Sequence, residues 1–357
     1  MEKLRKKLKN ISKNDIFKSF FIIFVSVITL FIFINRNQIQ FYHNQFGSVT
    51  GSPLQVYFLD VGQASSTLVI FPDDKTMLID TGSDDSKESL VEDLNLILAE
   101  NNLSKIDLMI LTHPDADHVG GTASVLNAFQ VDNVLRPKVL AEGEPSIRDY
   151  LVSTTYTYQK AVSAISNEPN CTVKFVENNS WESGGAAVRI FAGDHETYSD
   201  TNSYSPFITV TFNQKTFLFT GDAPFLREEE FLNTLKEENL SLSVDFLQVA
   251  HHGSKNSTTE EFLQALDVKL AFISANSSTH PSGELLMRLE NEQISYLCTK
   301  ESGMIGVGVD ESFVLCTLNE SLDLPFIIVV LFCVSFCILK FCFSSQQKKM
   351  IYFARFG

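Results

Sequence analysis

The stretch LTHPDADHVGG, residues 111–121, places His113, Asp115, Asp117 and His118 within six positions. Four ionisable groups on one short turn disfavour one another's charged forms unless a bound cation offsets the penalty. Imidazole suits zinc, manganese or iron, and carboxylates suit harder ions such as Mn2+, so two His and two Asp can serve two adjacent metals. The preceding IDLMILT (residues 106–112) reads as a buried strand that delivers the chain straight to His113. GGTASVLNAF (120–129) then reads as a helix that His118 opens. An EF-hand loop does not fit, because counting from Asp115 puts Val119 at position 5 and Leu126 at position 12. The competing reading is a polar turn that caps a helix, but capping does not require four ligand-type side chains in six residues.

Further ligand types stand where other strands end. FTGDA (219–223) places Asp222 between a strand and the helical APFLREEEFLNTLKEEN (223–239). VAHHGS (249–254) places His251 and His252 at the end of another strand. Alternation along a strand points the two histidines in opposite directions and leaves open which one faces inward. LQVYFLDV, STLVIF and TMLIDTG read as earlier strands, and SKESLVEDLNLILAENN (86–102) has the apolar spacing of a helix. Strands precede helices repeatedly, without an internal repeat, as in an α/β domain whose ligands bind at the rim where strands end.

The chain of 357 residues has room for one large domain or two modest ones. Ser19–Ile34 carries no charge and Leu324–Phe343 carries only Lys340, and stretches apolar on every face read as membrane helices. Twenty residues at a helical rise span roughly 30 Å, a bilayer core. The first segment follows a basic stretch but lacks a small-x-small cleavage site, so it reads as a retained signal anchor. Residues 1–36 are net +6 and residues 324–357 net +4, which places both termini in the cytoplasm and the middle outside. The whole chain is −15, which leaves −25 for residues 37–323. So acidic an ectodomain repels nucleic-acid backbones at long range. The expected organisation is a basic tail (1–18), a membrane helix (19–35), a tether (36–52), one catalytic domain (53–318), a second membrane helix (322–343) and a short tail (344–357). Six cysteines, three of them in the second apolar segment, make no disulfide framework; a Cys298–Cys316 bridge is left open.

FLDVGQ, LIDTG, LTHPDADHVGG, FLFTGDA, VAHHGS and the His280–Pro281 pair occur in the order seen in metallo-β-lactamase-fold hydrolases. The chain from about Leu54 to Val309 resembles the extracytoplasmic hydrolase domain of ComEC-type competence proteins. The resemblance implies an α/β (α+β) fold, a four-layer αββα sandwich with a dinuclear site on one edge. It implies that His113 and Asp115 hold one metal, that Asp117 and His118 hold the other, and that Asp222 bridges them. One of His251 and His252 resembles the last ligand and the other faces the substrate; His251 is assigned as the ligand and His252 as the substrate-facing group. Asp60 and Asp80 match positions that orient loops or ligand imidazoles, and Asn202 lies in TNSYS, where such chains have Asn-x-x-Ser in place of the fold's middle histidine. Asp194 and His195, nearby, read as a solvated loop. Asp117, His252 and His280 are the expected catalytic side chains, His280 at the edge of the site. The sequence departs from the family at GQASS (62–66), where Gly-Gln-Gly-Asp is usual.

The cofactors implied are two divalent ions, Zn2+ or Mn2+, that share a bridging hydroxide, nucleophilic near neutral pH. The first functional reading is a membrane-anchored phosphodiesterase or nuclease. A second is a hydrolase of cell-envelope phosphoesters, similar to phosphorylcholine esterases; a third, motivated by GQASS, is a catalytically weak metal-binding or partner-binding protein. The expected partners are the lipid bilayer, a phosphodiester substrate (DNA or an envelope polymer) and, where DNA is moved, a separate channel protein. Oligomeric state is left open.

Overall fold

The computed structural model describes residues 49–141, 144, 155–195, 197–310 and 313–317. The apolar segments read as membrane helices lie outside them. Among the described residues no helix is long and apolar enough to cross a membrane.

In chain order the strands are β1 (Leu54–Phe58), β2 (Thr67–Ile70), β3 (Thr76–Ile79), β4 (Lys105–Ile106), β5 (Leu108–Ile110), β6 (Gln130–Val131), β7 (Asn133–Arg136), β8 (Thr172–Phe175), β9 (Asn179–Ser183) and β10 (Ala186–Phe191). They continue as β11 (Phe207–Phe212), β12 (Lys215–Phe219), β13 (Phe246–Gln248), β14 (Leu270–Ile273), β15 (Ser295–Cys298), β16 (Ile305–Val309) and β17 (Phe313–Thr317). One sheet runs β17-β16-β1-β2-β3-β5-β7-β8 and the other β15-β14-β13-β12-β11-β10-β9, while β4 and β6 pair separately.

The two sheets pack face to face because their strands alternate cleanly. Leu54, Val56 and Phe58 of β1 point between the sheets to meet Phe217, Phe219, Phe246 and Phe272, while Tyr57 points to the outer face. Phe58 and Phe272 stack across the interface with ring centroids 4.3 Å apart. Three helices cover the first sheet: α1 (Lys87–Glu100), α3 (Thr122–Ala128) and α4 (Tyr156–Asn167), with the single turn α2 (Ala116–Val119) before α3. Their Leu90, Leu94, Val125, Tyr158 and Val162 bury against Leu68, Leu78 and Met109. On the second sheet α5 (Phe225–Glu237), α6 (Glu260–Ala265) and α7 (Gly283–Asn291) bury Phe231, Phe262, Leu263 and Leu285 on Phe207, Leu218 and Leu247. The result is the expected four-layer αββα sandwich. Central strands covered on both faces explain why the sequence shows continuous apolar runs there.

Strands β3, β5, β7 and β8 run parallel, as do β12, β13, β14 and β15. Their C-terminal ends carry the candidate site. The Gly pair closing LTHPDADHVGG lets its turn dock on the loop after β3. The Thr81 N–H donates to His118 O (2.7 Å) and the Gly120 N–H to Gly82 O (2.8 Å). A Cβ at Gly121 would lie 2.2 Å from Thr81 O, and one at Gly120 2.3 Å from the Asp84 nitrogen. Cys298 is a buried free thiol, and the Cys316 side chain of the bridge left open by the sequence lies outside what the structure describes. Gly121→Ala is expected to separate the two loops and destabilise the chain by about 1–3 kcal/mol. Urea unfolding of metal-stripped protein measures this, and an unchanged midpoint would show that the contact is not needed.

Candidate metal centre

The residues of the site stand a few positions beyond strand ends, with Asp117 and His118 on the single turn α2. Asp80 follows β3, His113 follows β5, Asp222 follows β12, and His251 and His252 follow β13. The capping alternative fails at both places. Asp115 stands at the start of α2 but its side chain makes no capping hydrogen bond, and α5 is preceded by Pro224 rather than Asp222.

Asp222 is the hub. Its carboxylate is buried, with Oδ1 3.0 Å from His118 Nε2. Its Oδ2 lies 3.9 Å from His113 Nε2 and 3.8 Å from both His252 Nε2 and His251 Nε2. The turn that brings it there needs Gly221, whose φ is 51° and whose Cβ would stand 2.9 Å from Ser205 Oγ and 3.0 Å from Thr112 Cβ. Ser205 Oγ in turn accepts from the Asp222 N–H (3.1 Å).

Behind the hub, Asp80 orients the imidazoles. It adopts φ 60° and accepts from the Thr112 N–H (2.8 Å), the Thr112 hydroxyl (2.8 Å) and His118 Nδ1 (2.7 Å). Because the one hydroxyl hydrogen of Thr112 goes to Asp80, its oxygen accepts from His113 Nδ1 at 3.0 Å. Both rings are thereby turned with Nε2 toward Asp222. His113 Nε2 and His118 Nε2 are buried and meet no aligned hydrogen bond. An orphaned buried nitrogen costs about 1–3 kcal/mol, so His113 Nε2, beside a His118 Nε2 that has only the Asp222 carboxylate at 3.0 Å, fits a cation at this point. His113, His118 and Asp222 form one group, and Asp117, His118 and His252 another, with all ligand atoms in each group within 4.8 Å of one another.

At the histidine pair the geometry favours His252 over His251 as the inward-facing ring. Strand alternation does not apply, because β13 ends at Gln248 and both residues adopt left-handed backbone, φ 51° and 53°. It is His252, not His251, whose Nε2 enters the cluster, 3.2 Å from Asp117 Oδ2, with the side chain 4% exposed against 33% for His251. His252 Nδ1 donates to Ser274 O (2.7 Å). His251 lies at the mouth, its ring parallel to that of His280 with centroids 6.4 Å apart. Asn202 Nδ2 donates to His251 Nδ1 at 3.4 Å. Asp115 reaches the edge of the cluster, Oδ2 3.9 Å from His113 Nε2. Asp60 accepts from the Gly62 N–H (3.4 Å) rather than from a candidate ligand, and His195 pairs with Glu230 (3.2 Å).

Two supporting groups were not legible as such, Thr112 and the Ser274 carbonyl, whereas Ser205 is the serine of the Asn-x-x-Ser stretch. Thr112 precedes His113 in the motif and Ser205 lies in TNSYS, but a backbone carbonyl leaves no mark in sequence. The GQASS departure leaves the cluster intact. Ser65 Oγ accepts from Gln248 Nε2 (3.0 Å), and its N–H donates to Asp117 O (3.1 Å).

Charge follows the same geometry. Burial and the neighbouring His118 push His113 down to about 4, so it is neutral and ready to ligate. Burial opposes charge on His118, but Asp222 and Asp80 outweigh it and hold the ring well above the usual imidazole range. His252 is raised as well, Asp222 and Asp117 overcoming burial. Burial raises the Asp115 carboxyl. Asp117 is held down to about 2, because the His252 hydrogen bond and nearby His118 outweigh burial. Asp222 is held well below the usual carboxylate range, its imidazole neighbours outweighing burial.

A family model described as the metallo-beta-lactamase superfamily matches residues 59–276, more than half of the chain. The chain is 29% identical over 256 residues to Recombination protein 2 of Haemophilus influenzae, covering 71% of this chain and 28% of that protein. It is 28% identical over 267 residues to ComE operon protein 3 of Bacillus subtilis, covering 70% and 32%. The chain thus spans less than a third of the length of these relatives. Among solved structures, the metallo-beta-lactamase fold protein YhfI from Bacillus subtilis aligns with a TM-score of 0.47 at 12% identity, over 71% of this chain and 99% of that one.

Two predictions follow from the geometry. Asp80→Asn, which loosens His118, should weaken cation affinity about 10–100-fold in a chelator-competition titration; unchanged affinity would remove Asp80 from the site. A cation must also displace the protons that His118 and His252 hold in its absence. Affinity should therefore rise as the pH is raised through and above the ordinary imidazole range, with proton release detectable by calorimetry in buffers of different ionisation enthalpy. A flat profile would contradict the proposed ligand set.

Proposed function

The chain belongs to the metallo-beta-lactamase superfamily and carries that superfamily's metal-dependent hydrolase fold, and from this premise we propose that it is a membrane-anchored extracytoplasmic phosphodiesterase with a dinuclear metal centre. The observation that carries the reading is the pair of three-residue groups, His113–His118–Asp222 and Asp117–His118–His252, that meet at His118, with His113 Nε2 buried and without a hydrogen-bond partner. His113, Asp115 and Asp222 would hold one cation, and Asp117, His118, His252 and Asp222 the other. When bound, two such cations supply a water nucleophile active near neutral pH and offset negative charge on a phosphoryl oxygen. The donor set of imidazoles and carboxylates without thiolate suits Zn2+ or Mn2+. His251 and His280 remain at the mouth to face substrate.

Anchoring rests on the apolar segments 19–35 and 322–343 and on the basic residues flanking them. The relatives named after recombination, the ComE operon and competence support a nuclease. An envelope phosphoester is favoured by a different observation: the −25 charge between the two segments resists close approach of a polyanion.

The test is metal content per chain and turnover of bis(p-nitrophenyl) phosphate by purified full-length protein. About two cations per chain are expected, with a fall in kcat of at least about 10³-fold in Asp222→Asn. Metal without turnover of a phosphodiester or simple ester would move the reading to a binding role.

A further inference from the structure

Backbone outside regular helix and strand leaves its N–H and C=O groups to be matched by other means. The loop from His251 to Thr259 is such a case, because His251, His252 and Thr258 adopt left-handed backbone, φ 51°, 53° and 54°. For a β-branched residue such as Thr258 that conformation is strained and persists only where the surroundings impose it. Two side chains of opposite charge do so. Glu228, buried on α5, accepts from the Thr258 N–H, the Thr259 N–H (3.0 Å) and the Thr259 hydroxyl (2.8 Å). Arg288 on α7 donates to the carbonyls of Lys255 (2.7 Å), Ser257 (2.8 Å) and Thr258 (3.2 Å). The carboxylate matches donors of the loop and the guanidinium its acceptors, with charge-assisted bonds on both sides.

The end of the loop is fastened to its beginning. The Ala250 N–H donates to Thr258 Oγ1 (3.4 Å), and the Ser257 hydroxyl donates to Ala250 O (3.0 Å). Ala250 precedes the histidine pair, and the His251 N–H continues to Gly221 O (3.1 Å), next to the hub Asp222. Glu228 itself lies on the helix that begins just beyond Asp222. A short path therefore joins the Glu228 carboxylate to the backbone that carries His252 Nε2 to within 3.2 Å of Asp117 Oδ2.

We infer that Glu228 and Arg288 are positioning residues for His252, which set the cation affinity of the centre through the backbone of this loop. Both act on main-chain groups rather than on the side chains of the cluster. The inference rests on the metal-centre reading above and deepens it. A ligand carried on left-handed backbone needs its loop held before a cation arrives.

The test is a double-mutant cycle on the purified full-length chain, read by chelator-competition titration with Zn2+. Glu228→Ala should weaken affinity about 10–100-fold. Glu228→Gln, which keeps one acceptor oxygen, should recover part of that loss. Arg288→Lys, which keeps the charge without the fork, should weaken affinity in the same direction. In a His252→Ala background Glu228→Ala should cost almost nothing further, because the ring it positions is gone. Hydrogen exchange of the metal-stripped chain should quicken across residues 250–259 in both Glu228 variants, while residues 106–119 keep their protection. Undiminished affinity in Glu228→Ala or Arg288→Lys, an equal loss with and without His252, or unchanged exchange in the loop overturns the inference. Should the wild-type chain take up neither Zn2+ nor Mn2+, the metal reading falls and the affinity part with it, while the exchange still decides whether Glu228 holds the histidine loop.

Discussion

One buried carboxylate, Asp222, faces the Nε2 atoms of four histidines, and the arrangement of the whole strand-end rim follows from that confrontation. Each of those side chains would be more comfortable in water. They converge because two sheets, built from strands apolar on both faces, hold the strand ends in place. Asp80 and Thr112 lock two of the rings from behind, and Ser274 locks a third. Gly120, Gly121 and Gly221 are spent where a side chain would push the loops apart.

Much of this was legible before the structure, for a physical reason. His113, Asp115, Asp117 and His118 are near in sequence because a single turn after a buried strand can present all four. The apolar alternation of β1 and β12 and the spacing in α1 and α5 are local properties, so strands and helices could be read from short windows. Asp222 announced itself by standing between a strand and a helix.

What was not legible depends on tertiary geometry. The choice between His251 and His252 turns on a left-handed backbone after β13 and on a carbonyl from β14's end, neither of which leaves a residue signature. Asp60 looked equivalent to Asp80 as an acid after a strand, yet only Asp80 meets a ligand imidazole. The helix α4, whose Tyr158, Ala161, Val162 and Ile165 recur at helical spacing, and the four-residue exposed strand β8 lie outside the stretches named from the sequence. The missing acid in GQASS motivates the weak-catalyst alternative, and in the structure Ser65 at that place is tied to Gln248 and to the backbone of Asp117.

The central claim is that this cluster is built around cations rather than merely tolerating their absence. The most direct measurement is the melting temperature of the full-length chain, metal-stripped and then titrated with Zn2+ or Mn2+. Saturation at about a hundred times the dissociation constant adds about 2.7 kcal/mol, a rise on the order of 5–10 °C for a domain of this size. A melting temperature indifferent to both ions would mean that the buried carboxylate and its histidines are satisfied by protons alone, and that the chain has no metal centre.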